Sequence, residues 1–302
     1  MKILFLFLDG IGLGTDNPNT NPLSRANMPF LQALLDDRRL LLTSAPYEGE
    51  HASLFALDAR LGIPGLPQSA TGQATLLTGR NIPQMIGYHY GPKPNPEIAA
   101  HLTNGNLFSH LRSAGRRTAL LNAYPPRYFQ GIQSGRRLYS AIPLAVTAAG
   151  LPLFGVEELF SARALSADFT AEAWRSMLGF PQAPVRSPRE AGHLMAELAS
   201  EYDFSLFEYW ASDYAGHKQD MEWAVRQLET FDGLLQGLCE NQPADLLILI
   251  TSDHGNMEDL STRRHTLAPV PLLLIGPSIA RAAFRAATDL THLAPIIRSI
   301  LE

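Results

Sequence analysis

The sequence predicts an α/β fold built around a mainly parallel sheet. Three observations predict it. Short, continuously apolar runs recur along the chain. Longer amphipathic stretches separate them. At 302 residues and 46% hydrophobic, the chain has enough apolar material to cover both faces of such a sheet. Strands buried on two faces read as unbroken apolar runs, whereas strands wetted on one face alternate.

Taken in order, ILFLFL (3–8), RTALLNA (117–123), FSLFEYW (204–210), DLLILI (245–250) and VPLLLIG (270–276) read as buried strands. MPFLQALLDD (28–37), NLFSHLRSAG (106–115), PREAGHLMAELASEY (188–202) and MEWAVRQLETFDGLLQGLCE (221–240) read as helices between them. From 124 to 187 the pattern loses regularity and is rich in Pro, Gly, Arg and small residues. That stretch is expected to be a small insertion or cap within one domain spanning 1–302.

Composition narrows the classes. A formal charge of -5 without a basic run or basic-aromatic stripe argues against nucleic acid as a partner. Cys239 is the single cysteine, so no intrachain disulfide and no cysteine metal cluster is expected. No apolar run is long enough to span a membrane. The opening MKILFLFLDG has six apolar residues that run straight into an acid, too short for a secretory signal. The expected setting is soluble and cytoplasmic.

Three of the strands lead into acids: ILFLFL into Asp9, FSLFEYWAS into Asp213, DLLILITS into Asp253 and His254. Ligand sites in open α/β sheets lie beyond the carboxyl ends of the strands. One such Asp is more simply a cap for the next helix or turn; three of them, two with histidines attached, point to one crevice. In SDYAGHKQD, Asp213 and His217 stand four apart, on one face of a helical turn and within reach of one ion. His265 precedes the last strand. Most of the other histidines, such as His51, His101, His110, His193 and His292, have no comparable neighbours. Mixed Asp oxygen and His nitrogen suit Zn²⁺ or Mn²⁺, with Mg²⁺ also admissible, and suit Ca²⁺ poorly. The ligand count favours two ions, an arrangement that serves phosphoryl transfer.

A nucleophile for that centre is offered by GLPQSATGQATLLTGRN (65–81), where Pro67 and Gly65 break the chain and Ser69 or Thr71 opens a helix. A hydroxyl there meets free backbone N–H groups and the positive end of the helix dipole. Spacing alone does not choose between the two hydroxyls.

Together these motifs resemble the alkaline phosphatase superfamily of two-metal enzymes, and within it the branch of cofactor-independent phosphoglycerate mutase and phosphopentomutase. The family's Asp-Gly is matched by Asp9-Gly10. Its Ser, with Gly three later and Gly-Arg ten and eleven later, is matched by Ser69, Gly72, Gly79 and Arg80. Asp-x-x-x-His is matched by Asp213 and His217. Asp-His-Gly-Asn-x-Glu is matched by Asp253, His254, Gly255, Asn256 and Glu258. His-Thr before Pro-Val-Pro is matched by His265-Thr266 and Pro269-Val270-Pro271. Five motifs in order over residues 9–271 make the resemblance specific.

The resemblance implies an alkaline-phosphatase-like three-layer sandwich with two metal sites. Asp213, His217 and His265 would hold one ion. Asp9, Asp253, His254 and the Ser69 oxygen would hold the other. Ser69 would be the nucleophile, with Thr71 as the fallback. Three carboxylates and an alkoxide would balance two divalent ions and leave a near-neutral site for a phosphate dianion. Asn256 and Glu258 would orient ligands. Gly72, Arg80 and His89 are weaker candidates for supporting or contacting the substrate, and Arg127, Arg136 and Arg137 for clamping a second anionic group.

Two departures shape the expected reaction. Mutase relatives carry a large inserted substrate domain, whereas Arg80 to Asp213 spans only about 130 residues here and includes core elements. Sulfatases need Cys-x-Pro-x-Arg or Ser-x-Pro-x-Arg, and this chain has Ser69-x-Thr71-x-Gln73. The expected function is hydrolysis of a small-molecule phosphate ester through phospho-Ser69. The alternatives are a phosphodiesterase, a phosphonate hydrolase, a phosphoglycerate or phosphosugar mutase, and, outside enzymes, an inactive metal-binding scaffold or sensor.

Overall fold

The computed structural model describes residues 1–302. Its centre is one seven-stranded sheet: β1 (Lys2–Leu8), β2 (Tyr47–Glu48), β3 (Ala52–Leu57), β4 (Thr118–Leu120), β5 (Phe204–Tyr209), β6 (Leu246–Thr251) and β7 (Val270–Ile275), in the order β2-β3-β7-β6-β1-β5-β4. The strands β4, β5, β1 and β6 are parallel.

Residues along β1 bury alternately on two faces. Ile3, Phe5 and Phe7 join a core beneath the helices Ser69–Thr78, Pro96–Thr103, Leu107–Ser113 and Leu293–Leu301. Leu4, Leu6 and Leu8 join the opposite core, beneath Pro188–Ser200 and Met221–Glu240. Helix, sheet and helix therefore stack in three layers. Alternation cannot set the register of a strand that is apolar on both faces. The charged ends set it: Lys2 stays at the rim, 3.8 Å from Asp245, and Asp9 opens the other end.

The core of the sheet is mostly parallel, and two further features complete it. The strand at 270–275 runs antiparallel to both β6 and β3. A parallel return requires a crossover element. Residues 252–269 contain no helix and fold into a loop, so the chain re-enters the sheet from the end it left. This loop carries Asp253, His254 and His265. The sheet also extends through β3 and β2, whose sequence ASLFAL is short, rich in Ala and Leu and gave no strand signal.

The stretch 124–187, expected to be a small insertion or cap, divides into two parts. It contains the helices Pro126–Gln133, Ala141–Ala148, Val156–Phe160 and Glu172–Ser176. Ala141, Ile142, Ala145 and Val146 are fully buried in the main core, and Asn106 Nδ2 donates to the Ala145 carbonyl at 3.1 Å. The remainder has a small core of its own around Leu159 and Trp174.

Candidate active site

Parallel β5, β1 and β6 are neighbours, so the residues after them meet at one edge of the sheet. Asp9 follows β1 directly. Gly10 takes φ +69, and a Cβ there would lie 2.7 Å from the Asp213 carboxylate, so only glycine lets the two loops approach. Asp213 stands in the first turn of the helix Ala211–Lys218, a few residues beyond β5. Asp253 and His254 lie just beyond β6. His265 reaches the same place from the opposite direction because β7 is antiparallel.

Ser69 begins the helix Ser69–Thr78, and its Oγ lies 3.0 Å from His254 Nε2. Thr71 Oγ1 instead donates to the Gln68 carbonyl at 3.0 Å and accepts from Tyr90 N–H at 3.2 Å. The structure thus brings Ser69 to the cluster and ties Thr71 into the loop beside it. Gly72 lets this helix press on the end of β6, since a Cβ there would lie 2.8 Å from both Asp253 Cβ and the Asp253 carbonyl oxygen.

Two groups of converging ligand atoms result: Asp213 with His217 and His265, and Asp9 with Asp213 and His254. Asp213 sits between them. Its Oδ2 is 3.3 Å from His217 Nε2 and its Oδ1 is 3.8 Å from His265 Nε2. Asp9 Oδ1 is 3.4 Å from His254 Nε2. Asp253 stands slightly back, its Oδ2 3.7 Å from His254 Nε2 and accepting from Gln73 Nε2 at 3.1 Å. All three imidazoles turn Nδ1 toward a backbone carbonyl: His217 to Arg263 at 2.8 Å, His265 to Pro67 at 2.8 Å, and His254 to Gly255 at 3.3 Å. A proton held on Nδ1 leaves the Nε2 lone pair facing the carboxylates, the tautomer that metal-binding histidines adopt.

Electrostatics fit a cationic occupant. Burial, together with the Asp253 charge, holds Asp9 well above the usual carboxylate range. Burial and the Asp213 charge push Asp253 up to about 7. At Asp213 burial also acts upward, but the hydrogen bond to His217, the His254 charge and the Asn256 amide outweigh it and bring the group to about 2. Burial pushes His254 and His265 down to about 4, so both are neutral at pH 7. Asp9 Oδ1 is buried without a hydrogen-bond partner. Three carboxyl groups and two neutral imidazoles crowded into one crevice, with the His217 imidazole beside Asp213, are a set that divalent cations satisfy.

The supporting residues separate. Asn256 Nδ2 donates to Asp213 Oδ1 at 2.6 Å and to its carbonyl at 3.1 Å, fixing that carboxylate. Glu258 is buried and accepts from Gly12 N–H at 2.9 Å, from Asn256 N–H at 2.8 Å and from the Thr266 hydroxyl. It ties the loop after β1 to both ends of the 252–269 loop and stands behind the ligands. Arg80 does not join the site: it is exposed past the far end of the Ser69–Thr78 helix, about 15 Å along its axis. His89 lines a second cavity of about 510 Å³, shared with His217 and His265.

Three contributors escaped sequence reasoning. Gln73, one helical turn after Ser69, holds Asp253, and its i, i+4 spacing was the available signal. Glu208, in β5, is buried at the rear of the main cavity, with Tyr124 Oη 3.4 Å from its carboxylate. Asn122 clamps the Glu208 backbone, donating from Nδ2 to its carbonyl and accepting from its N–H, both at 2.8 Å. Nothing local in the sequence marks the last two, because they meet only through the pairing of β4 with β5.

The metalloenzyme superfamily matches residues 176–302. The 2,3-bisphosphoglycerate-independent phosphoglycerate mutase of Desulforudis audaxviator (strain MP104C) is 32% identical over 125 residues, 39% of this chain. That match takes in about a quarter (24%) of the mutase's own length. The PH0037 protein from Pyrococcus horikoshii superposes over 99% of this chain and 96% of its own, with a TM-score of 0.58 at 16% identity. The alkaline phosphatase from the Antarctic bacterium TAB5 covers 99% and 97%, with a TM-score of 0.55 at 11% identity. Residues 176–302 thus carry the metalloenzyme-superfamily sequence, and the chain as a whole has the alkaline-phosphatase-like fold.

Proposed function

We propose that this chain is a two-metal phosphoryl-transfer enzyme that hydrolyses phosphate monoesters through a phospho-Ser69 intermediate. The observation that carries the reading is the Ser69 hydroxyl, 3.0 Å from His254 Nε2, at the mouth of a crevice lined by Asp9, Asp213 and Asp253. Asp213, His217 and His265 would hold one ion, and Asp9, Asp253, His254 and Ser69 Oγ the other. The ions would supply the positive charge that favours the Ser69 alkoxide and offsets the phosphate.

The chain's own residues do the rest. The Ser69–Thr78 helix presents Oγ together with its free N-terminal N–H groups, which can hold a phosphate oxygen. Asn256 keeps Asp213 from rotating, and Gln73 does the same for Asp253. Oγ, its proton given up to water, attacks phosphorus; the Oγ–P bond forms as the bond from phosphorus to the ester oxygen breaks, and that oxygen takes a proton from water and leaves as the alcohol. Water then displaces Ser69 and frees phosphate. The cavity in front of Ser69 opens past exposed residues, which supports water as the acceptor.

A second reading, intramolecular phosphoryl transfer by a mutase, is favoured by the mutase relatives. Product analysis separates the two. Zn²⁺- or Mn²⁺-loaded protein given a phosphate monoester in ¹⁸O water should release phosphate in step with ester consumed and labelled by the solvent. Isomerisation of 3-phosphoglycerate with little phosphate release would establish the mutase reading instead.

A further inference from the structure

The main cavity, about 880 Å³, is far larger than one phosphate group needs. It lies in the range that encloses ligands of nucleotide or drug size, roughly 300–1,000 Å³. Its floor is the ligand cluster, with Asp9, Ser69 and Asp213. Its walls and rim come mainly from Pro92, Lys93 and the 122–178 segment.

Four cationic side chains line it: Lys93, Arg127, Arg136 and Arg137. Some other cations are held in ion pairs, such as Arg189 with Glu240 and Arg285 with Glu48. None of these four makes an ion pair or a side-chain hydrogen bond within the chain. Gly91 packs on Ser69 N–H, which brings the loop bearing Lys93 against the nucleophile's helix. Partial burial and the Arg137 charge together hold Lys93 below the usual lysine range. Arg137 stacks over the Tyr128 ring at 5.1 Å. Tyr128 is itself buried, and its Oη has no hydrogen-bond partner.

The same cavity has an apolar side. Tyr124 and Tyr128 pack with ring centroids 4.5 Å apart and planes tilted by 30°, and the buried Trp174 also lines the cavity. Leu138 and Met177, 63% and 77% exposed, also line it. A second cluster of unpaired cations beside an aromatic wall suits a ligand with a flat or apolar body and a second negative charge.

We infer that the substrate is a phosphate monoester whose alcohol carries a second anionic group on an aromatic or apolar body, held by Arg136, Arg137 and Lys93 against Tyr128. This rests on the phosphate-ester reading above, and the test separates the two. The probes are phenylphosphonate and biphenylphosphonate, each with and without a para-carboxylate, titrated calorimetrically into metal-loaded Ser69→Ala protein, which cannot turn over. At one of the two lengths the carboxylated probe should bind at least roughly tenfold more tightly than its parent, about 1.4 kcal/mol. In an Arg136→Gln/Arg137→Gln background that ratio should fall below about three. Both positions are exposed and unpaired, so the fold should survive. Equal affinity with and without the carboxylate at both lengths would overturn this inference while leaving the phosphate-ester reading intact. A ratio that survives the double substitution would overturn the assignment to these arginines. Failure of all four probes to bind would overturn the phosphate-ester reading and this inference with it.

Discussion

Replacing Gly72 by alanine sets two opposing effects against each other. In an isolated helix the change is favourable by about 1 kcal/mol, because glycine has the greater backbone freedom to lose. Gly72 lies inside the helix Ser69–Thr78 and has no positive φ, so alanine suits its backbone. Against this, the new Cβ would lie 2.8 Å from Asp253 Cβ and 2.8 Å from the Asp253 carbonyl oxygen. A backbone oxygen cannot rotate away, so the helix or the end of β6 must shift. Overpacking of this kind costs about 1–3 kcal/mol. The steric effect should win, leaving a net loss of up to about 2 kcal/mol, a fall in Tm of roughly 2–3 °C in a chain of this length. The displaced atoms belong to Asp253, so metal affinity should fall as well. Urea unfolding of the stripped protein and elemental analysis of the loaded protein read the two effects separately. The expected outcome is a lower midpoint at unchanged m and loss of at least one ion. A variant more stable by about 1 kcal/mol with full metal content would refute the close-packing argument.

Other outcomes follow from the same geometry. Loaded protein should carry about two ions per chain, and His265→Ala should remove mainly one; full occupancy in that variant would remove it from the ligand set. Ser69→Ala should abolish nearly all turnover with little change in stability. Thr71→Ala should retain more activity but lose stability, by about 1 kcal/mol, because its hydroxyl joins Gln68 and Tyr90; reversed activities would mean Thr71 is the attacking group. Glu208 should make metal-stripped protein less stable as pH rises. Burial pushes its folded pKa up to about 7, against 4.5 for the ordinary carboxyl, so across that window the native chain keeps a proton the unfolded chain has released. The stability lost stays lost above pH 7. Glu208→Gln should flatten the slope and gain on the order of 2–3 kcal/mol at pH 8, and identical pH slopes in the two proteins would contradict this.

What was legible in the sequence follows from the range of the interactions involved. The strands β1, β5 and β6 are continuous apolar runs whose endings announce Asp9, Asp253 and His254, and the i, i+4 pair Asp213–His217 is a local helical spacing. Those features survive in one dimension. The direction of β7 does not, because it depends on the absence of a crossover helix in 252–269. The choice of Ser69 over Thr71 depends on which hydroxyl the Tyr90 loop occupies. The helix Ala141–Ala148 was hidden in a stretch dense in Pro, Gly and Arg, although its own sequence AIPLAVTA is apolar enough to be core. Glu208 and Asn122 become partners only through pairing between β4 and β5, 86 residues apart in the chain. Arg80 matched a motif by spacing, but helix geometry carries it away from the cluster.

The account stands or falls on a phosphoryl group passing through Ser69. Metal-loaded protein should be mixed with an aryl phosphate, quenched in acid within the first turnovers, digested, and read by mass spectrometry. Phosphate is predicted on the peptide containing Ser69, at Ser69 itself, in wild-type protein and in no Ser69→Ala sample. Turnover without phosphoserine at Ser69, or a Ser69→Ala variant that still turns over at the wild-type rate, would contradict it.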